Sequence, residues 1–177
     1  MARLIETGNA DVAEAFVRLH YLAVLRLALR LSGHQQEAED IAQETFLIAR
    51  QSIGRYRGRS SLRTWLHKIA LNEYRQRRRK RKHLPLHDYD FGSTDAAIRA
   101  FELGYVLSRA MQSLPEKQRE AFILFEIEEL SMTEVAHVLS VPSGTAKARV
   151  FYARQNLRRQ LEEGTKEVKD EFQRSAS

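Results

Sequence analysis

Cysteine is absent from the 177-residue chain, which excludes disulfides and thiolate metal sites outright. Proline and glycine are scarce, at 3 and 8 residues, so few breakers interrupt a helical pattern. No apolar run approaches the roughly 20 residues needed to cross a bilayer. The opening MARLIETGNAD lacks the apolar core of a signal peptide. A soluble cytoplasmic protein without membrane insertion is therefore expected. His83 and His87 are spaced as a helical pair, but Pro85 lies between them, so no metal site and no cofactor is expected.

Apolar residues recur at helical spacing almost throughout, which predicts an all-α protein of one generous domain or two small ones. Val12, Phe16, Leu19, Ala23, Leu27 and Leu31 mark a helix from about residue 10 to 31, ended by Gly33. A second helix starts near Gln35, with Ala38, Ile41, Ala42, Thr45, Phe46, Ala49 and Ile53 inward and Gly54 as its stop. Its other face shows Glu37, Glu39, Asp40, Gln43 and Glu44. Acids in a first turn complement the helix dipole; Asp40, Gln43 and Glu44 also share one side, as a docking face would. Between Leu62 and about Arg79 a third helix turns Leu62, Trp65, Leu66, Ile69 and Ala70 inward. Periodicity vanishes from His83 to about Ala97, where Pro85, Gly92, Asp88, Asp90 and Asp95 indicate an acidic flexible linker. It resumes with Ile98, Phe101, Val106, Ala110 and Leu114; Pro115 starts a further helix with Ala121, Phe122, Leu124 and Phe125 as core. Residues after Glu162 are polar and expected to fray.

Charge is unevenly spread. Residues 1–82 hold 17 Lys/Arg against 8 Asp/Glu, and residues 83–130 hold 4 against 9. Two basic lobes around an acidic stretch suggest two nucleic-acid contacts on one chain. The density peaks from Arg55 to Lys82, with twelve basic residues and one acid, Glu73. Tyr56, Trp65 and Tyr74 lie among these charges, the mixture that tracks phosphates while stacking on exposed bases. Trp65 falls on the apolar stripe and is read as core. The run RRRKRK at 77–82 reads either as a phosphate-binding footprint or as a solvated helix end.

The stretch from Ser131 to Leu161 organises the rest. Ser131 and Glu134 form S-x-x-E, a capping box that starts a short helix carrying Val135, Ala136 and Leu139 on one face. Ser140 to Ser143, with Pro142, breaks it. A second helix follows to about Leu161, its apolar stripe Ala146, Val150, Ala153 and Leu157 closed by Leu161. Its polar face holds Lys147, Arg149, Arg154, Arg158 and Arg159. A capped helix, a tight turn and a basic helix make a helix-turn-helix, whose second helix enters a major groove. An ordinary helical hairpin with a solvated basic face is the plainer alternative.

Taken together, these stretches resemble the bacterial sigma factors of the extracytoplasmic-function group, in the sigma-70 family, from about Ala10 to Leu161. EAEDIAQETF at 37–46 is similar to the signature on the helix that docks to RNA polymerase; SSLRTWLHKIALN at 60–72 resembles the promoter-melting segment. LPEKQREAFIL at 114–124, followed by the helix-turn-helix, resembles the domain that reads the minus-thirty-five element. The resemblance implies an N-terminal sigma domain (1–82), a linker (83–97) and a C-terminal helix-turn-helix domain (98–177). It implies core RNA polymerase, promoter DNA and an anti-sigma factor as partners, and no catalysis by the chain itself. Asp40, Gln43 and Glu44 match the polymerase-docking residues. The loop from Arg57 through Gly58 and Ser60 to Ser61 matches the one that captures a base flipped from the minus-ten element, and Asn72 a residue of strand opening. Ser143, Thr145, Lys147, Arg149, Phe151, Tyr152 and Arg154 fall where side chains meet the upstream element.

The chain also departs from that pattern. Ser140 stands where a glycine is usual, so a left-handed backbone there would cost about 1 kcal/mol. Tyr152 replaces a common basic residue, Ala148 a frequent serine, and Gln76 an acid. A helix-turn-helix regulator that never touches polymerase would leave the Asp40–Gln43–Glu44 face unexplained. A metal-dependent nuclease built on Asp40 and Glu44 lacks a clear third ligand.

Overall fold

The computed structural model describes the backbone at residues 10–81 and 110–175, and side chains at 11–80 and 110–162. The described residues are all-α, and the chain divides into two compact units with its main boundary between Gly92 and Ser93. The expected linker at 83–97, the apolar positions Ile98, Phe101 and Val106, and His83 with His87 lie outside the described residues. No helix among the described residues is long and apolar enough to cross a membrane.

The N-terminal unit is three helices, each touching the other two: α1 (Ala10–Ser32), α2 (Gln35–Ser52) and α3 (Leu62–Arg81). Phe16, Val24, Leu27, Ala28 and Leu31 form the buried stripe of α1. Gly33, at φ 75, ends it in the left-handed conformation that glycine adopts without strain, its N–H donating to the Leu29 carbonyl at 2.8 Å. Ala38, Ala42 and Ala49 bury completely on α2 beside Ile41; small side chains let the neighbouring helices approach. Thr45 is buried too, and its hydroxyl donates to the Ile41 carbonyl at 2.7 Å, so its polar group is met. Phe46 joins α2 to α1, edge-on to Phe16 at 6.1 Å and stacked on Tyr21 at 6.1 Å. His20 packs edge-on to Phe16 at 5.0 Å, and burial pushes its pKa down. A single 3-10 turn, Ile53–Arg55, follows α2.

Three sequence-based expectations need correction in this unit. Glu37 is buried, not part of an exposed acidic face, because it sits one helical turn before Ile41 on the same side. Tyr74 is completely buried on α3 with Leu66, His67, Ala70 and Leu71, so it is no platform for a base. Gly54 does not stop α2 alone; the α-helix ends at Ser52, and glycine lies inside the 3-10 turn.

The described part of the C-terminal unit begins with a helical stretch at residues 110–113 and continues with α4 (Glu116–Phe122), a π-helical turn (Ile123–Ile127), α5 (Met132–Leu139) and α6 (Ser143–Ser175). The π turn carries the Glu128 N–H to the Ile123 carbonyl at 2.9 Å. The wider turn alters the expected register: Ala121, Ile123 and Leu124 are buried, whereas Phe122 and Phe125 are only half-buried. Packing of α6 on α4 buries Ala146, Val150, Ala153 and Leu157. Leu161 is exposed and does not close this stripe. The backbone of α6 is helical to Ser175, past the end near Leu161 that the apolar pattern marks.

The turn between α5 and α6 follows a Schellman pattern. Val141 N–H donates to the Ala136 carbonyl at 3.1 Å and Ser140 N–H to the His137 carbonyl at 3.3 Å. Ser140 is left-handed, at φ 57, as its place in the turn suggested. Glu129, in the turn before α5, is left-handed as well, at φ 54. Both side chains are exposed, so glycine there loses no packing while removing the left-handed penalty. Offset by the greater freedom of glycine in the unfolded chain, Ser140→Gly and Glu129→Gly are each expected to stabilise by about 0.5–1 kcal/mol. Thermal denaturation of the full chain, followed by circular dichroism, measures this; a lowered midpoint would show the side chains themselves to be stabilising.

Candidate functional site

Three groups of the residues singled out by sequence are held by local chemistry that can be followed from the helices upward. On α2, Gln43 is exposed while Asp40 and Glu44 are half-buried along the same side. Asp40 is engaged across the helix pair: Arg77 of α3 donates to its Oδ2 at 3.1 Å. One turn further along, Glu44 lies close enough to Glu73 to matter. The Glu73 carboxyl is held above the usual range, first by burial and then by repulsion from Glu44, with Arg77 and Lys80 pulling the other way. This acidic face therefore abuts the basic helix of its own unit, a pairing that helical spacing within α2 cannot reveal.

The loop before α3 is the second group. Arg57, Gly58, Arg59 and Ser61 are exposed and Ser60 is half-buried. Gly58 is left-handed, at φ 68, with open space where a Cβ would stand. Ser61 caps α3: its hydroxyl accepts the Thr64 N–H at 3.0 Å and meets the buried Thr64 hydroxyl at 2.8 Å. Ser61 thus has a structural duty that its match to the base-capturing loop does not disclose. Asn72 is exposed on α3, eleven residues beyond Ser61, or about 16 Å along the axis.

The third group is on α5 and α6. The sequence-expected capping box is present: Ser131 N–H donates to Glu134 Oε2 at 3.0 Å, and Glu134 N–H to the Ser131 hydroxyl at 3.3 Å. Pro142 presents its carbonyl to the Ala146 N–H at 3.1 Å, beginning α6. With the small apolar stripe buried, Ser143, Thr145, Lys147, Phe151, Tyr152 and Arg154 are exposed and Arg149 is half-buried. Phe151 and Tyr152 are 55% and 53% exposed, their rings edge to face at 5.5 Å. Arg154 is occupied: its Nε donates to Glu126 Oε1 at 2.6 Å, and its guanidinium lies 5.7 Å from the Phe125 ring centroid. Farther along, Asn156 donates to Gln118 at 2.8 Å and Ser113 to Gln160 at 2.8 Å. These side-chain bonds fix the roll of α6, and with it the face left uncovered. Sequence reasoning missed Glu126 and Gln118, whose partners lie 28 and 38 residues away. No group of three or more His, Asp or Glu able to hold a metal occurs among the described residues.

Comparison with known proteins bears on the whole chain. The sigma-70 region 2 family matches residues 16–84, and the sigma-70 region 4 family matches residues 106–157. The ECF RNA polymerase sigma factor SigW of Bacillus subtilis is 31% identical, over 89% of this chain and 92% of its own length. The RNA polymerase sigma-H factor of Pseudomonas aeruginosa is 30% identical, over 89% and 90%. Among solved structures, the sigma factor RpoE of Bartonella quintana, determined with the anti-sigma factor NepR, superposes with a TM-score of 0.68 at 27% identity, over 84% of this chain and 96% of that one. With region 2 on the three-helix unit, region 4 on the helix-turn-helix and relatives matched nearly end to end, this chain belongs to the extracytoplasmic-function sigma factors of the sigma-70 family, non-enzymatic proteins that direct RNA polymerase to promoter DNA.

Proposed function

We propose that this sigma factor divides its work among the three groups just described. Asp40, Gln43 and Glu44 on α2 dock core RNA polymerase. The loop from Arg57 through Gly58 and Ser60 to Ser61 takes an unstacked minus-ten base, and Asn72 holds the opened strand. Ser143, Thr145, Lys147, Arg149, Phe151 and Tyr152 meet the minus-thirty-five element, with Arg154 at the edge of that surface. Residues 1–82 act as the docking and melting domain, 98–177 as the upstream-reading domain, and 83–97 as the linker between them, in the cytoplasm where polymerase works. The observation that carries this reading is the uncovered face of α6, where a basic and an aromatic side chain, Lys147 and Phe151, stand one turn apart in solvent. A lysine can donate to a guanine edge, and an aromatic ring can pack on a thymine methyl. Run-off transcription with core polymerase on a promoter library tests the assignment and reads both elements at once; absence of promoter-dependent transcripts would refute it.

An anti-sigma factor belongs to the same proposal, by analogy with the Bartonella relative determined with NepR. Support comes from α1, where Leu19 and Leu22 are 66% and 59% exposed. Large apolar side chains grouped in solvent suit a protein partner.

Docking gives the first expectation here. Asp40→Ala with Glu44→Ala should weaken binding to core polymerase at least tenfold while helical content is unchanged. The intramolecular Arg77 pair is partly exposed and adds at most about 1 kcal/mol to stability. Equal affinity of variant and parent for core enzyme would remove the docking role.

Base reading and strand holding give two more. In holoenzyme, Lys147→Ala should alter base preference upstream, since a good bidentate contact discriminates by about 1–3 kcal/mol. Arg158→Ala should weaken every upstream sequence alike if it meets only phosphate; selection from randomised upstream elements separates the two patterns. Asn72→Ala should slow opening on every promoter and be rescued on a template already mismatched across the bubble, because unpairing has been done beforehand. Permanganate footprinting on both templates measures this, and an equal defect on the mismatched template would assign Asn72 to docking or folding.

A further inference from the structure

The loop between the 3-10 turn and α3 is tied at both ends, and one side chain makes the tie. Tyr56 leaves the 3-10 turn extended, at φ −68 and ψ 117, with its N–H donating to the Ile53 carbonyl at 3.0 Å. Its hydroxyl then reaches forward and donates to the Ser60 carbonyl. The ring meanwhile lies 5.3 Å from that of Trp65, in the first turn of α3. The backbone N–H of Trp65 in turn donates to the Ser61 carbonyl at 3.0 Å, and the Ser61 hydroxyl is committed to the Thr64 N–H. What is left over is a three-residue lip of Arg57, Gly58 and Arg59, all exposed, bridged beneath by the tyrosine.

We propose that Tyr56 is a positioning residue for base selection at the minus-ten element: its hydroxyl latches the loop so that the lip is formed before DNA arrives. The inference rests on the reading that this loop takes the unstacked base. A glycine-containing lip open to solvent would otherwise lose backbone freedom on capturing a base. The bridge removes part of that freedom in the free protein, so less is lost on binding. The latch acts on discrimination because a fixed lip holds its donors at one geometry, which a wrong base meets poorly, whereas a loose lip adjusts to either base. Tyr56 does this without touching DNA, since its hydroxyl is committed to Ser60 and its ring packs against Trp65.

Tyr56→Phe isolates the latch, because it keeps the ring against Trp65 and deletes only the donor. The measurement is competitive open-complex formation by holoenzyme, reconstituted from core polymerase and the full chain, between a promoter and its variants singly substituted in the minus-ten element. One hydrogen bond corresponds to roughly a two- to tenfold change in an equilibrium, so the ratio favouring the preferred base should fall about fivefold. Affinity for core polymerase should stay unchanged. Trp65 is the single tryptophan of the chain, and its emission in the free protein should become more easily quenched by acrylamide as the loop loosens. A control pair, Arg57→Ala with Arg59→Ala, alters the lip itself. If that pair shifts minus-ten choice while Tyr56→Phe discriminates like the parent, the latch is overturned and the loop reading stands. If the arginine pair leaves minus-ten choice untouched, the loop reading falls and the latch with it. A loss in Tyr56→Phe that is equal for all minus-ten sequences would make the tyrosine structural only, which also overturns the proposal.

Discussion

A residue with a side chain, held where glycine would be strain-free, sets the direction of the helix proposed to meet DNA. Ser140 at φ 57 lets two backbone bonds close the end of α5, and the chain then enters α6 through the Pro142 carbonyl. Once that direction is set, α6 packs on α4 with Ala146, Val150, Ala153 and Leu157 buried along its apolar side. Among the described residues, Ser143, Thr145, Lys147, Phe151 and Tyr152 are then left in solvent. The bonds from Asn156 to Gln118 and from Arg154 to Glu126 prevent α6 from rolling within that arrangement. A strained turn is tolerated because the packing it enables is worth more than the roughly 1 kcal/mol it costs.

The N-terminal unit solves a different problem, that of a strongly basic helix in a small core. Among the described residues of α3, Arg75, Arg77, Arg78, Arg79 and Lys80 crowd its last turns. The acids of α2 lie alongside and relieve part of that repulsion, most directly through Asp40 and Arg77. The proposed docking surface is thus also an internal counter-charge. Under the proposed docking role, a partner arriving with its own cations would compete with Arg77 for Asp40. Because the pair is partly exposed, that exchange would cost little. Burial and the neighbouring Glu44 push the Glu73 carboxyl up from its ordinary value, while Arg77 and Lys80 pull it back down.

Much of this is readable from residue spacing and identity. Helix periodicity locates α1, α2 and α3, Pro115 marks the start of α4, and Ser131 with Glu134 announces a capping box that is present atom for atom. The left-handed Ser140 follows from its place in the turn. Such features are local: caps, breakers and stripes are decided within one or two helical turns. The motifs that identify an extracytoplasmic-function sigma factor are local in the same sense, which is why family membership is legible in the order of residues alone.

Tertiary structure decided what depends on a neighbour distant in sequence. Glu37 and Tyr74 look polar or accessible by composition, yet both are buried because their helical positions face other helices. Glu129 adopts a left-handed conformation that no turn signal announces, and the π turn at Ile123–Ile127 alters which aromatic residues enter the core. Arg154 reads as a free basic side chain until Glu126 is brought against it, and Ser61 reads as a free hydroxyl until it caps α3. The reason is common to all of them. A sequence determines which groups a helix presents on each side, but whether a group meets solvent, a counter-charge or a ring depends on which helix packs there.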